Sequence, residues 1–164
     1  MGISFVAAKE NLSPLFSHNN SGGRNMKLGK KDLLIRQETK RDYEAVYQLV
    51  KAAFATARHS DGTEQDLVAA LRDSKAFVPE LSLVAEAEGK PVGYILFTQA
   101  QVGKDTVLAL APLAVLPAYQ RQGVGAALIA EGHRIASNLG YSHSLVLGSE
   151  TYYPRFGYRP AGQF

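Results

Sequence analysis

Leu113-Ala114-Val115-Leu116-Pro117-Ala118-Tyr119-Gln120-Arg121-Gln122-Gly123-Val124-Gly125-Ala126 is the stretch that decides the fold of this chain. It begins in an apolar segment, Leu108 to Val115, that reads as a strand, and ends in a segment of helical spacing that opens at Gly123. A helix N-terminus presents backbone N–H groups without intrahelical acceptors and a partial positive charge, which together attract phosphate oxygens. Gly123 and Gly125 remove the side chains that would keep a diphosphate off that backbone, and Arg121 adds charge at the rim. Two glycines at a strand–helix turn also serve a plain tight bend, so both readings stand at this point.

Working outward, Val124, Leu128, Ile135 and Leu139 share one helical stripe that Gly140 brings to a stop. Ser144 to Leu147 follows as a buried strand, and then the aromatic segment Tyr152-Tyr153-Pro154-Arg155-Phe156-Gly157-Tyr158. Upstream, the turn Gly103-Lys104-Asp105 leads into a strand from Thr106 to Val115. Leu81 to Glu88 and Val92 to Gln101 form a hairpin across Gly89-Lys90-Pro91. Thr39 is an N-cap with Asp42 three positions on, followed by Tyr43, Val46, Tyr47, Val50, Ala53 and Phe54 at helical spacing. A shorter helix from about Glu64 to Asp73 is expected to bury Leu67, Val68 and Leu71, and Leu33-Leu34-Ile35 is the first strand. The pattern predicts a mixed α/β fold, an antiparallel meander feeding one right-handed strand–helix–strand crossover.

The chain has 164 residues, enough for one domain with a sizeable core. It has no cysteine, which excludes a thiol nucleophile, a zinc–thiolate site and a disulfide framework, and suits a reducing cytoplasm. The longest apolar run, Val107 to Tyr119, is 13 residues and carries Pro112 and Pro117. That is short of the roughly 18 a membrane span needs. The start of the chain lacks a signal-peptide pattern, so the expected location is the cytoplasm, with no membrane partner. Lys9, Arg24, Lys27, Lys30 and Lys31 stand against Glu10 alone in residues 1–31, a balance of +4; with +3 for the whole chain, residues 32–164 carry −1. The basic excess lies outside the folded part, so no nucleic-acid partner is expected. Ser17-His18-Asn19-Asn20-Ser21-Gly22-Gly23 reads as a linker. Residues 1–31 are taken as an N-terminal extension, flexible or added ahead of a natural start at Met26, and residues 32–164 as the domain.

Gln120-x-x-Gly123-x-Gly125 resembles the acetyl-CoA signature of the GNAT superfamily of N-acetyltransferases, (Gln/Arg)-x-x-Gly-x-(Gly/Ala), and Leu113 to Pro117 resembles the strand end that precedes it there. The tail from Tyr152 to Tyr158 is similar to a branch of small acetyltransferases ending in Tyr-Tyr-x-Arg-Phe-Gly-Phe. The resemblance implies a mostly antiparallel sheet flanked by helices, with a splayed parallel strand pair. It implies acetyl-CoA as co-substrate, no metal, and direct acetyl transfer through a tetrahedral intermediate to a primary amine of a small molecule or a protein N-terminus. Backbone groups of Leu113, Ala114 and Val115 would pair with the pantetheine arm, the amides of Arg121, Gln122, Gly123, Val124, Gly125 and Ala126 would hold the diphosphate, and Gln120 belongs to the same cofactor-binding set. Pro112 inside a strand argues against ordinary pairing, but a proline is tolerated at the bulge that family members carry at this place.

Tyr153, four residues before Gly157, stands where many members place the acid that protonates the departing thiolate. With tyrosine near 10 and a thiol near 8.5, the transfer is uphill by roughly 2 kcal/mol, which a hydrogen bond formed as the C–S bond breaks can offset. A lysine-like acceptor needs about 4.6 kcal/mol to lose its proton at pH 7, and an α-amine only about 1. Glu86, His59 and Asp61 are the candidate bases, none assigned, while His133 and His143 lack metal-like spacing and read as structural. Family members continue past the Gly-aromatic pair with a last strand, whereas this chain ends at Phe164. A C-terminally shortened sheet is therefore expected, its edge covered by a partner chain, as in a homodimer, or by the leading segment around Ile3 to Ala8. A non-catalytic acyl-CoA-binding sensor or scaffold is the alternative function that the missing strand and base leave open. A Rossmann-type nucleotide site is excluded, because Leu128 stands where its third glycine belongs.

Overall fold

The computed structural model describes residues 5–13, 24–28, 31–57 and 60–163. The linker Ser17 to Gly23 and His59 lie outside them. The described strands are β1 (Phe5–Glu10), β2 (Arg24–Leu28), β3 (Lys31–Gln37), β4 (Phe77–Ala87), β5 (Lys90–Val102), β6 (Asp105–Val115), β7 (His143–Gly148) and β8 (Arg159–Pro160). They form one sheet in the order β2-β3-β4-β5-β6-β7-β1-β8. Helices α1 (Tyr43–Phe54), α2 (Glu64–Arg72) and α3 (Val124–Asn138) flank it.

Alternation along the central strands sets the layers, because successive side chains turn to opposite faces. Leu83, Ala85, Ile95 and Phe97 join one core with Val124, Leu128 and Ile129 of α3. Val84, Tyr94 and Leu96 join a second core with Val46, Leu49 and Val50 of α1 and Val68 of α2. All pairings are antiparallel except that of β6 with β7, the two strands joined through α3. The meander and the single crossover expected from the sequence are both present.

Several local expectations shift. The β4–β5 turn is Glu88-Gly89, both at positive φ, and Lys90 and Pro91 already belong to β5. Consecutive positive φ values fit the twist of a two-residue hairpin, so the turn sits one residue earlier than Gly89-Lys90-Pro91. Leu67 is 44% exposed and Leu139 45%, so neither belongs to the core. Gln65 is buried in α2 instead, donating from its side-chain amide to the Gly62 carbonyl at 2.7 Å. Two strands precede β3, and β1 pairs with β7 over Phe5 to Glu10, covering the edge that a last strand was expected to leave. Only Arg159–Pro160 continues the sheet past the aromatic segment, paired to β1 through Ala7 and Ala8.

The entry to α1 carries the expected capping acid. The Thr39 N–H donates to Asp42 Oδ2 at 2.7 Å, and Arg36 grips both carboxylate oxygens at 2.8 Å. The Arg36 hydrogen bonds hold the Asp42 carboxyl down at about 2, against the burial that opposes them. On the same face Glu38 is buried with Arg72 of α2, and accepts from Ser82 Oγ at 2.6 Å. Ser82 in turn meets Tyr94 OH at 2.7 Å, and the Arg72 guanidinium lies 4.0 Å from the Tyr43 ring centre. This network ties α2 to β4, β5 and the residue that follows β3, and every buried polar side-chain atom of the described residues has a partner.

Candidate active site in the gap between two parallel strands

Strands β6 and β7 pair only from Leu108 to Leu110 against Ser144 to Val146. Beyond that point β6 runs on to Val115 and β7 to Gly148 without pairing to each other. The cause is local. On the β5 side, Ile95 faces Leu113 and Phe97 faces Leu110, so Ala111 and Pro112 both stand against Leu96. Two residues against one is a β-bulge, which bends the bulged strand. Pro112 lacks an N–H and sits where no ladder bond is demanded of it; the Ala111–Pro112 peptide is cis. The flank of residues 111–115 turned away from β5 therefore faces an open gap.

The loop after β6 aims a helix at the mouth of that gap. Gln120 Nε2 donates to the Val115 carbonyl at 3.0 Å, and Gln122 Nε2 to the Ala118 carbonyl at 3.0 Å. These two side chains shape the loop rather than point outward. Arg121 is exposed and has φ +61°, a conformation that costs a non-glycine residue about 1 kcal/mol. Gly123 is the N-cap of α3 with φ +89° and ψ 6°, a left-handed residue followed by helical Val124. That alternation turns successive N–H groups into one concavity suited to an anion. The first helical bond runs from Ala127 N–H to the Gly123 carbonyl at 3.0 Å, so the N–H groups of Val124, Gly125 and Ala126 lie ahead of it without a helical acceptor.

Two neighbouring tyrosines wall the gap. A Cβ placed on Gly125 would lie 2.6 Å from the Tyr152 hydroxyl oxygen and 3.7 Å from Leu113 Cδ2. A Cβ on Gly148, the last residue of β7, would lie 2.6 Å from Tyr153 Cε2. Tyr152 thus closes on the first turn of α3, and Tyr153 lies on the end of β7. Their rings meet edge to face at 5.2 Å, Tyr152 meets Phe156 at 5.0 Å, and Tyr153 meets Tyr158 at 5.7 Å. Burial pushes the Tyr153 phenol up to about 12, with the neighbouring Tyr152 adding to the shift. Burial also raises Tyr152, opposed by Arg155, whose guanidinium lies 5.7 Å from its ring centre.

The structure brings together Leu113, Ala114, Val115, the Gln120–Ala126 turn and Tyr153, the residues singled out from sequence. Of the candidate bases, Glu86 accepts from Arg36 Nε at 2.9 Å, and exposed Asp61 accepts from Thr63 Oγ1 at 2.6 Å. Neither lies on β6, β7, α3 or residues 149–158, which frame the gap. His133 is buried, its Nε2 2.9 Å from Tyr158 OH, and His143 Nδ1 is 2.7 Å from Ser142 Oγ. Sequence reading missed Gly148 and the wall formed by Tyr152, which no spacing rule connects to Gly125. Among the described residues, no group of three or more His, Asp or Glu side chains could hold a metal ion, and no helix is long and apolar enough to cross a membrane.

Residues 43–158 match the acetyltransferase (GNAT) family. The chain belongs to that family. It is 46% identical over 101 residues to the uncharacterised N-acetyltransferase YjhQ of Escherichia coli K12, a match that spans 59% of this chain and only 56% of YjhQ. It is 35% identical over 132 residues to the uncharacterised N-acetyltransferase YhbS of the same organism, covering 79% of this chain and 75% of YhbS. A GNAT-family acetyltransferase from Brucella melitensis, solved with acetyl-CoA, superposes with a TM-score of 0.73 at 36% identity, over 77% of this chain and 82% of that one.

Proposed function

We propose that this chain transfers the acetyl group of acetyl-CoA directly to a primary amine of a small molecule or a protein N-terminus. The observation that carries the proposal is the gap beyond Leu110 and Val146, with the left-handed Gly123 and the first turn of α3 at its mouth. The residues there fit the co-substrate. The ideal Cβ position of Gly123 has no heavy atom within 4 Å, so the anion-binding concavity is open to a diphosphate. The free flank of Leu113, Ala114 and Val115 offers peptide groups to an extended amide-bearing arm, much as a sheet edge takes an added strand. When bound, the thioester supplies an activated acyl carbon and a thiol leaving group. The chain's own part is to hold the two ends of the molecule, exclude water with Tyr152, Tyr153 and Phe156, and keep a proton at Tyr153 Oη.

The phenol at about 12 stays protonated at neutral pH, as an acid must. Against a thiol of ordinary acidity that transfer is uphill by about 5 kcal/mol, more than the roughly 2 estimated from sequence. The departing thiolate shares the same poorly hydrated gap, and desolvation raises its proton affinity too, which narrows the difference. A hollow of about 340 Å³ between the end of α1 and the start of α2, lined by Lys51, Phe54, Ser60, Glu64 and Gln65, is a candidate for the acceptor. Glu64, accepting from Ser60 Oγ at 2.8 Å, is the acidic group there for an ammonium.

Calorimetric titration with acetyl-CoA, followed by CoA release across an amine panel, tests this. Sub-millimolar binding and amine-dependent release are expected. Absence of binding would end the proposal, and binding without release from any amine would favour the sensor.

A further inference from the structure

β1 reaches the sheet from the opposite end of the sequence to its neighbours. It lies between β7 and β8, antiparallel to both, with Lys9 opposite Ser144 and Ala8 opposite Arg159. Directly opposed residues of an antiparallel pair turn to one face. Lys9 therefore shares the face of Ser144, whose Oγ accepts from Tyr158 OH at 2.8 Å. The turn Tyr153–Phe156 and the Tyr158 that follows it meet this face through Lys9 and Ser144. Lys9 Nζ donates to the Phe156 carbonyl at 2.8 Å, across 147 residues of sequence. Its stem runs close beneath Gly157, where a Cβ would lie 3.3 Å from Nζ and 3.4 Å from Cε.

The turn is fixed at two ends. At its start the Tyr152 N–H reaches Ser149 Oγ at 3.1 Å, and the Tyr153 N–H the Ser149 carbonyl at 3.4 Å. At its finish the last carbonyls of a helical turn lack backbone donors, and a lysine supplies one. Between the ends, Pro154 stiffens the backbone next to Tyr153, whose ring is pinned between Gly148 and Tyr158. A shift of the Phe156 end is therefore passed to the Tyr153 ring rather than absorbed.

We propose that Lys9 is a positioning residue for Tyr153: through its bond to the Phe156 carbonyl, β1 anchors the turn that holds the acid at the gap. This rests on the assignment of Tyr153 as the acid. Burial draws the Lys9 amine below its ordinary value, as expected of an ammonium that has exchanged water for a carbonyl.

The test is a double-mutant cycle of Lys9→Met and Tyr153→Phe, read as CoA release at varied acetyl-CoA. Lys9→Met keeps most of the stem and removes the donor. It is expected to lower kcat about tenfold while KM for acetyl-CoA moves less than about twofold. Lys9→Arg, which keeps a donor, is expected to stay within about threefold of the parent kcat. In the Tyr153→Phe background Lys9→Met should change kcat by less than about twofold, because the group it positions is gone. Equal losses in both backgrounds, or an unchanged kcat for Lys9→Met, would overturn the positioning role and leave the acid in place. A Tyr153→Phe protein that turns over at the parent rate would remove the acid assignment and this inference with it. If Lys9→Met does not fold by circular dichroism, Lys9→Leu, which also lacks a donor, takes its place in the cycle, with the same outcomes deciding.

Discussion

Gly125→Ala is the change whose consequence the geometry sets most tightly. In an ordinary helix, alanine is favoured over glycine by roughly 0.5–1 kcal/mol. Here the added Cβ would stand 2.6 Å from the Tyr152 hydroxyl oxygen, about 1 Å inside ordinary contact. That oxygen ends a ring wedged against Tyr153 and Phe156, so relief requires the aromatic cluster to move. Overpacking of this kind costs about 1–3 kcal/mol, so the net expectation is a loss of about 0.5–2 kcal/mol. Tyr152→Phe removes the oxygen, and the nearest remaining atom of that ring, Cζ, lies at 3.8 Å, ordinary contact. In the Tyr152→Phe background Gly125→Ala should therefore stabilise, by about 0.5–1 kcal/mol. Urea unfolding of the four proteins measures the coupling, expected at about 1–3 kcal/mol. Should Gly125→Ala stabilise equally in both backgrounds, the contact between Tyr152 and the first turn of α3 would be refuted, and with it the wall assigned to the gap.

Tyr153→Phe should lower kcat by about 100-fold or more while acetyl-CoA affinity, read by calorimetry, stays within about twofold. If Tyr153 is the acid it works protonated, and with burial pushing its phenol up to about 12, raising the pH to about 10 should not depress kcat through this group; a descending limb centred near 8 would contradict the assignment. Asp42→Asn should cost about 2 kcal/mol in chemical unfolding. The folded carboxyl titrates near 2 against 3.8, so its contribution is present above pH 3.8 and lost as pH falls towards 2. His133 is held down to about 3 from 6.5, chiefly by burial and also by the charge of Lys9. The unfolded chain therefore takes up that proton first, and stability should fall as pH drops below 6.5, by up to about 1.4 kcal/mol per unit, a slope that His133→Phe should flatten.

Short-range chemistry wrote much of this protein into its sequence. The Gly-x-Gly turn, the proline in β6, the capping acid at Asp42 and the alternation along β4 and β5 each depend on residues a few positions apart, and each appears where local rules place it. The bulge was legible because Pro112 cannot donate to a ladder, whatever surrounds it. Leu67 and Leu139 went astray because helical periodicity names a stripe but not where the covering layer ends. What lies opposite a residue across the fold left no such trace. Lys9 beneath Phe156, Tyr152 over Gly125, Tyr153 on Gly148 and Glu38 against Arg72 are set by strand order and by how closely the layers meet. Strand order is a matter of which edge is free to be covered, and no residue of β1 states by its own chemistry that β7 is its neighbour. The turn proposed to hold the cofactor is thus a property of a short peptide, while the walls of the gap and the hold on the Tyr153 turn exist only once distant segments have met.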